Sequence, residues 1–293
     1  MKSAAAFALV FVLALTACSD GPAADDDDDV TPADAGGGAA DSDVPLNWVP
    51  LITGEWSLQP FSENTSDSHS MTMDRSIYVG AIRPIAPVGT HHTVLGIDGI
   101  DFGNIIYASG VGTNAIVFPE GVGLKLDAGE NIVLQLHLFN VTGEAISGTS
   151  GVEIVEVDAA DVTMEADLFL PGPFAFSIPP MQEYTTQGTC TVDGSYSFFA
   201  LFPHMHQLGT HFKTTLEIDG NDMVLHDDDY SFGDQAFIPF ETIAVTAGDK
   251  VKTECTWNNT TNGNVMWGES STTEMCFSIL YRFPAGPGEI CAN

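Results

Sequence analysis

"IVLQLHLF", residues 132–139, sets leucine and β-branched residues around two polar side chains, Gln135 and His137. Short runs of this kind bounded by turn residues read as β-strands. The same texture recurs in "SIYVGAI" (76–82), "HHTVLGI" (91–97), "NIIYAS" (104–109) and "VEIVEV" (152–157), with Gly, Asn and Asp between them. No stretch sustains a helical period. "LEIDGNDMVL" (216–225) is a hairpin signal with Asp219-Gly220 at its turn. "VTAGDKVKTECTW" (245–257) reads as a turn entering a strand. Many short strands in two blocks predict an all-β chain of two tandem β-sandwich domains. "VEVDAADVTMEADLFLPGPF" (155–174) reads as the passage between them, with the boundary at Ala159–Ala160. The expected domains are residues 45–159 and 160–293.

The segment before residue 45 reads differently. "MKSAAAFALVFVLALTAC" has one Lys, an apolar run, then small residues before Cys18. That pattern is a secretory signal, too short to span a membrane. Leu15-Thr16-Ala17-Cys18 resembles the bacterial lipobox, which implies a leader of residues 1–17 and lipidation of Cys18. The expected address is the bacterial cell envelope, with membrane contact through the lipid anchor only. Residues 18–44 are rich in Asp, Gly, Ala and Pro and hold no aromatic residue. Such a segment cannot bury enough apolar surface to order itself, and its like charges extend it as a tether. The Asp25–Asp29 run has no Gly turn or closing Glu to build a calcium cage.

The formal net charge is −32. Nine acids lie in 20–43, leaving 31 acids against seven Lys or Arg from residue 44 onward. A surface this acidic repels nucleic acid and anionic lipid. Apart from Cys18 there are four cysteines, Cys190, Cys255, Cys276 and Cys291, all in the second block. An even count in an exported chain implies two disulfides, with three connectivities open.

Histidines carry the chemistry. "LFPHMHQLGTHF" (201–212) holds His204, His206 and His211. On a strand, residues two apart share a face, so His204 and His206 can hold one metal side by side, with Met205 pointing away. "GTHHTVLG" carries adjacent His91 and His92, and His137 interrupts the apolar run quoted first. Adjacent strand residues face opposite sides. His91 and His92 can therefore share a metal only where the strand is locally irregular or the rings fold back. Otherwise one is a core histidine and one exposed, and His137 is a hydrogen-bonded core residue. "GESSTTEMCFSILYRFP" (268–284) adds Met275, a thioether suited to Cu(I), or simply a packed core side chain.

In order, His-His, Leu-Gln-x-His, His-x-His with a following Gly, and Thr-x-Glu-Met-Cys resemble the copper type II, ascorbate-dependent monooxygenases. That family includes the peptidylglycine α-hydroxylating and dopamine β-hydroxylating enzymes. The resemblance runs from about Ser66 to the C-terminus. It implies jelly-roll-like domains, two copper ions facing each other across a solvent-filled cleft, and ascorbate or another one-electron reductant. His91, His92 and His137 would bind the electron-supplying copper. His204, His206 and Met275 would bind the copper at which O2 is activated and a small-molecule substrate hydroxylated. Disulfides Cys190–Cys291 and Cys255–Cys276 are implied, and Gln135 matches the pattern two residues before His137. His211 reads as a strand residue after the Gly209 turn that can stand behind the ligands, while His69 and His226 are unassigned.

Two positions depart from the peptide-amidating branch, which places an Arg where Phe202 stands and a polar residue where Phe277 stands. A carboxylate needs donors that phenylalanine lacks. An apolar or aromatic C–H donor is the expectation, with Phe202 and Phe277 in the substrate pocket. The chain is expected to act as a monomer. A copper-binding envelope lipoprotein for storage or delivery, without catalysis, is the alternative. A blue-copper site is excluded on chemistry, since it needs a Cys thiolate.

Overall fold

The strand Asn131–Phe139 buries Ile132, Leu134, Leu136 and Leu138 completely, while Val133, Gln135 and His137 are half-buried on its other face. Each core-facing leucine is thus matched by a neighbour that faces outward, as the strand's two-residue period requires. The structure is a computed structural model. It describes residues 46–101, 103–268, 270, 272–287 and 290–292. The leader 1–17, Cys18 and all of the linker 18–44, together with Pro45, lie outside the described residues.

The described residues form strands and turns, with no helix among them. In the first half, Glu63–Thr72, Asn131–Phe139, Thr90–Ile97 and Ile105–Ser109 make a four-stranded antiparallel sheet in that order. The second sheet runs Val49–Leu58, Ile146–Val157, Ile77–Ile85, Val122–Leu126 and Met164–Glu165, with Ile116–Val117 paired to its middle. Trp56, Ile82, Leu95, Leu134 and Ile154 come from both sheets and meet in one core, the arrangement of a β-sandwich. The final pairing, Met164–Glu165 on Val122–Gly123, is parallel.

In the second half, Gln182–Thr191, Lys250–Asn259, Gly209–Ile218 and Asn221–Asp229 form one sheet. Ile238–Val245, Tyr196–His204, Phe277–Phe283, Asp167–Gly172 and Ile290–Ala292 form the other. Asp219 and Gly220 both take positive φ, 52° and 76°, in the two-residue loop of a tight hairpin. Two disulfides tie sheet to sheet: Cys190–Cys291, and Cys255–Cys276 across 21 residues of chain.

All the described residues belong to one compact unit. Its largest buried cluster crosses from one half to the other. Phe118 lies 5.3 Å from Phe199 and 5.4 Å from Tyr281, ring to ring, and Tyr107 lies 5.9 Å from Phe237. The buried Tyr281 hydroxyl donates to Ile106 O at 3.1 Å. This aromatic seam sets the two histidine-bearing sheets against each other.

Candidate metal centre

The strand Thr90–Ile97 is irregular where it must be. Thr90 pairs with Leu138 and His92 with His137, so His91 is an extra residue in the ladder. Such a bulge breaks the alternation and lets two adjacent side chains serve one side. The result is a cluster of His91, His92 and His137. The Nδ1 atoms of His91 and His92 lie 3.3 Å apart, as do those of His92 and His137. Ligands about 2.0–2.1 Å from one ion at a tetrahedral angle are separated by about 3.3 Å. His137 Nε2–H donates to Glu63 Oε1 at 2.6 Å, which leaves its Nδ1 lone pair for a metal. His92 Nε2 is buried with no hydrogen-bond partner.

His204 closes the strand Tyr196–His204, whereas His206 lies in the turn beyond it. The two do not share a strand face as the spacing suggests, yet their rings stand 5.3 Å apart. The reason is a carboxylate. Fully buried Glu274 accepts from His206 N at 2.9 Å, Leu208 N at 2.7 Å and the Trp257 indole at 2.8 Å. Burial pushes its carboxyl up to about 7, against the pull of these donors. His206 Nδ1–H donates to Thr273 O at 2.9 Å. The Thr273–Cys276 segment thus holds His206 and fixes the chain on both sides of Met275. His204 Nδ1–H donates to Gln235 Oε1 at 3.1 Å. Both Nδ1 atoms are therefore donors, and each Nε2 keeps its lone pair.

Burial lowers the pKa of His91, His92, His204 and His206. His91 falls to about 4 and His204 to about 3, with neighbouring imidazoles adding to the effect. His92 is held well below its ordinary value, and His206 is lowered too. Neutral imidazoles are the form that binds metal.

The two sets meet. The His92 ring is 5.7 Å from His204 and 6.5 Å from His206. Phe232 covers them, 4.4 Å from His91 and 6.1 Å from His206. Between the two sets lies a cavity of about 450 Å³. His92, His137, His204, His206 and Met275 all line it. Phe202, Phe277, Val94, Ile105, Leu170 and Ile279 give it an apolar wall, and among the described residues no Asp, Glu, Lys or Arg lines it.

Gln135 is at the cavity edge, its amide donating to Thr65 O at 3.5 Å. His211 lines no part of the cavity and pairs with Asp227 at 3.2 Å, outward on its strand beside the core-facing Phe212. Met205 is fully buried among Phe212, Trp257 and Cys255. Glu63, Gln235, Phe232 and Glu274 were not singled out by sequence. Only Glu274 had a signal, as part of the Thr-x-Glu-Met-Cys motif.

Residues 164–293 match the profile of the copper type II ascorbate-dependent monooxygenase C-terminal domain. Over this second half the chain is similar to the copper type II ascorbate-dependent monooxygenase family. Similar proteins include human DBH-like monooxygenase protein 1, 29% identical over 206 residues, covering 61% of this chain and 33% of the relative. Dog dopamine beta-hydroxylase is 26% identical over 214 residues, covering 65% and 33%. Tyramine beta-hydroxylase of Caenorhabditis briggsae is 26% identical over 211 residues, covering 65% and 36%. The chain thus spans about a third of the length of the curated relatives it matches. Copper suits both donor sets: three imidazoles in one, two imidazoles and a thioether lining the same cavity in the other.

Proposed function

We propose that this chain is a copper-dependent monooxygenase that hydroxylates a C–H bond of a small, neutral, apolar substrate, using O2 and a one-electron reductant such as ascorbate. The observation that carries this reading is the shared cavity, onto which His92 and His137 of one set, His204 and His206 of the other, Met275 and an apolar wall all face. His91, His92 and His137 would hold one copper through Nδ1; His204 and His206 would hold the other through Nε2, with the Met275 thioether. Bound copper would supply, one from each ion, the two electrons that O2 needs beyond those of the C–H bond, and the reductant would restore them.

The remaining work belongs to the protein. Glu63 and Thr273 hold His137 and His206 in the tautomers that offer lone pairs. Phe232 packs against His91, His92 and His206. Phe202 and Phe277 would orient the substrate by packing alone. A peptide carboxylate would find no cation in the wall. A protonated amine, such as those the dopamine and tyramine relatives are named for, would find no carboxylate among the described lining residues. Removing a charge from water without a partner is strongly unfavourable. The lipobox at Leu15–Cys18 supports a lipid-anchored place on the bacterial envelope, checked by mass analysis of the Cys18 peptide.

The test is copper analysis together with ascorbate-dependent O2 uptake across a substrate panel. Two coppers per chain are expected, with uptake driven by neutral apolar compounds and not by glycine-extended peptides or arylethylamines. Two coppers without uptake above background would favour storage or delivery instead.

A further inference from the structure

Between the strands Asn221–Asp229 and Ile238–Val245 the chain crosses to the other half. At its start the Tyr230 hydroxyl donates to Met205 O at 2.6 Å and accepts from Met205 N at 3.0 Å, which fastens it to the His204–His206 turn. Further on it is clamped by the first half's turn 110–114. Gln235 N donates to Val111 O at 2.8 Å, and Thr113 Oγ1 donates to Gln235 O at 2.8 Å. Asn114 and Phe237 exchange two more hydrogen bonds, at 2.7 and 3.1 Å. Gly110 makes the approach possible, since a Cβ there would lie 2.7 Å from the Gln235 side chain.

Gln235 is nearly inaccessible, 2% exposed. Both ends of its amide are engaged. Nε2 donates to Phe232 O at 3.0 Å, so Oε1 is the end presented to His204. A carbonyl oxygen only accepts, so His204 must carry its proton on Nδ1. The backbone of Gln235 is held by one half of the chain, and its side chain sets the ring of a histidine in the other.

We propose that Gln235 is the positioning residue of His204. Through it, the geometry of the His204–His206–Met275 set depends on the first half's turn 110–114. The inference rests on His204 being a copper ligand. Outer partners of this kind are worth about 10–100-fold in metal affinity.

The test uses the copper-loaded full chain, read by copper retained against a chelator and by the Cu(II) electron paramagnetic resonance spectrum. Gln235→Met keeps the length and removes both amide groups. It should weaken the second copper about 10–100-fold and shift its spectrum while leaving the first copper unchanged. Gln235→Glu keeps an acceptor oxygen and should restore most of the retention. The double variant Thr113→Ala with Asn114→Ala touches no histidine, yet should shift the same signal. It decides the matter if Gln235→Met does not fold. Wild-type retention and spectrum in Gln235→Met, or in the double variant if that one must decide, overturn the proposal when His204→Ala has lost one copper. Two coppers retained in His204→Ala would instead overturn the ligand reading on which it rests.

Discussion

Replacing Glu274 with alanine strips three donors of their common acceptor: His206 N, Leu208 N and the Trp257 indole. All three bonds end on a fully buried side chain, so water cannot replace the lost oxygen atoms. Each stranded donor costs about 1–3 kcal/mol, and losing the carboxylate's own desolvation offsets part of the sum. We expect a net loss of about 3–5 kcal/mol, comparable to breaking a buried charged network. At roughly 2–4 °C per kcal/mol for a chain of this size, Tm should fall by about 6–20 °C. Glu274→Gln can keep its oxygen on two donors, but must turn its NH2 toward the third. It should cost about 1–3 kcal/mol. Urea unfolding followed by circular dichroism, with the disulfides intact, gives the stabilities; metal analysis gives the site. The second copper should be lost first, because His206 loses its backbone anchor. An alanine variant as stable as wild type, or one that loses copper from the His91 set instead, would refute the reasoning.

Three further outcomes are expected. Glu63→Ala removes the acceptor on His137 Nε2 and should lower the first copper's affinity about 10–100-fold in chelator competition, with the second unchanged. Replacing Cys255 and Cys276 by serine opens a bridge spanning 21 residues; denaturant titration should show a loss of about 3 kcal/mol, and the second copper should bind more weakly. Gly110→Ala puts a methyl against a glutamine that is pinned at both ends, and should destabilise the chain by about 1–3 kcal/mol in thermal unfolding.

What could be read from sequence was whatever repeats locally. The alternation through Ile132–Leu138 placed His137 on a strand and identified the core face opposite it. The His-His pair even announced its own difficulty, and the bulge at His91 is the answer. The spacing of His204 and His206 suggested a shared strand face. The strand ends at His204, and what keeps His206 in place is Glu274, 68 residues further on. Contacts across such spans leave no periodic trace. Glu63, 74 residues before His137, and Gln235, 31 after His204, are equally silent in the pattern. The packing of the two halves was out of reach for the same reason. It depends on Phe118, Phe199, Phe237 and Tyr281 meeting across the seam, and each alone reads as an ordinary core aromatic.

The most direct test of the central claim is copper X-ray absorption of the reduced, loaded chain, measured beside Met275→Ala with ascorbate-dependent O2 uptake on the same samples. The account predicts two coppers per chain, a sulfur neighbour that disappears with Met275, and uptake that disappears with it. Two coppers surrounded by nitrogen alone, or uptake indifferent to Met275→Ala, would contradict it.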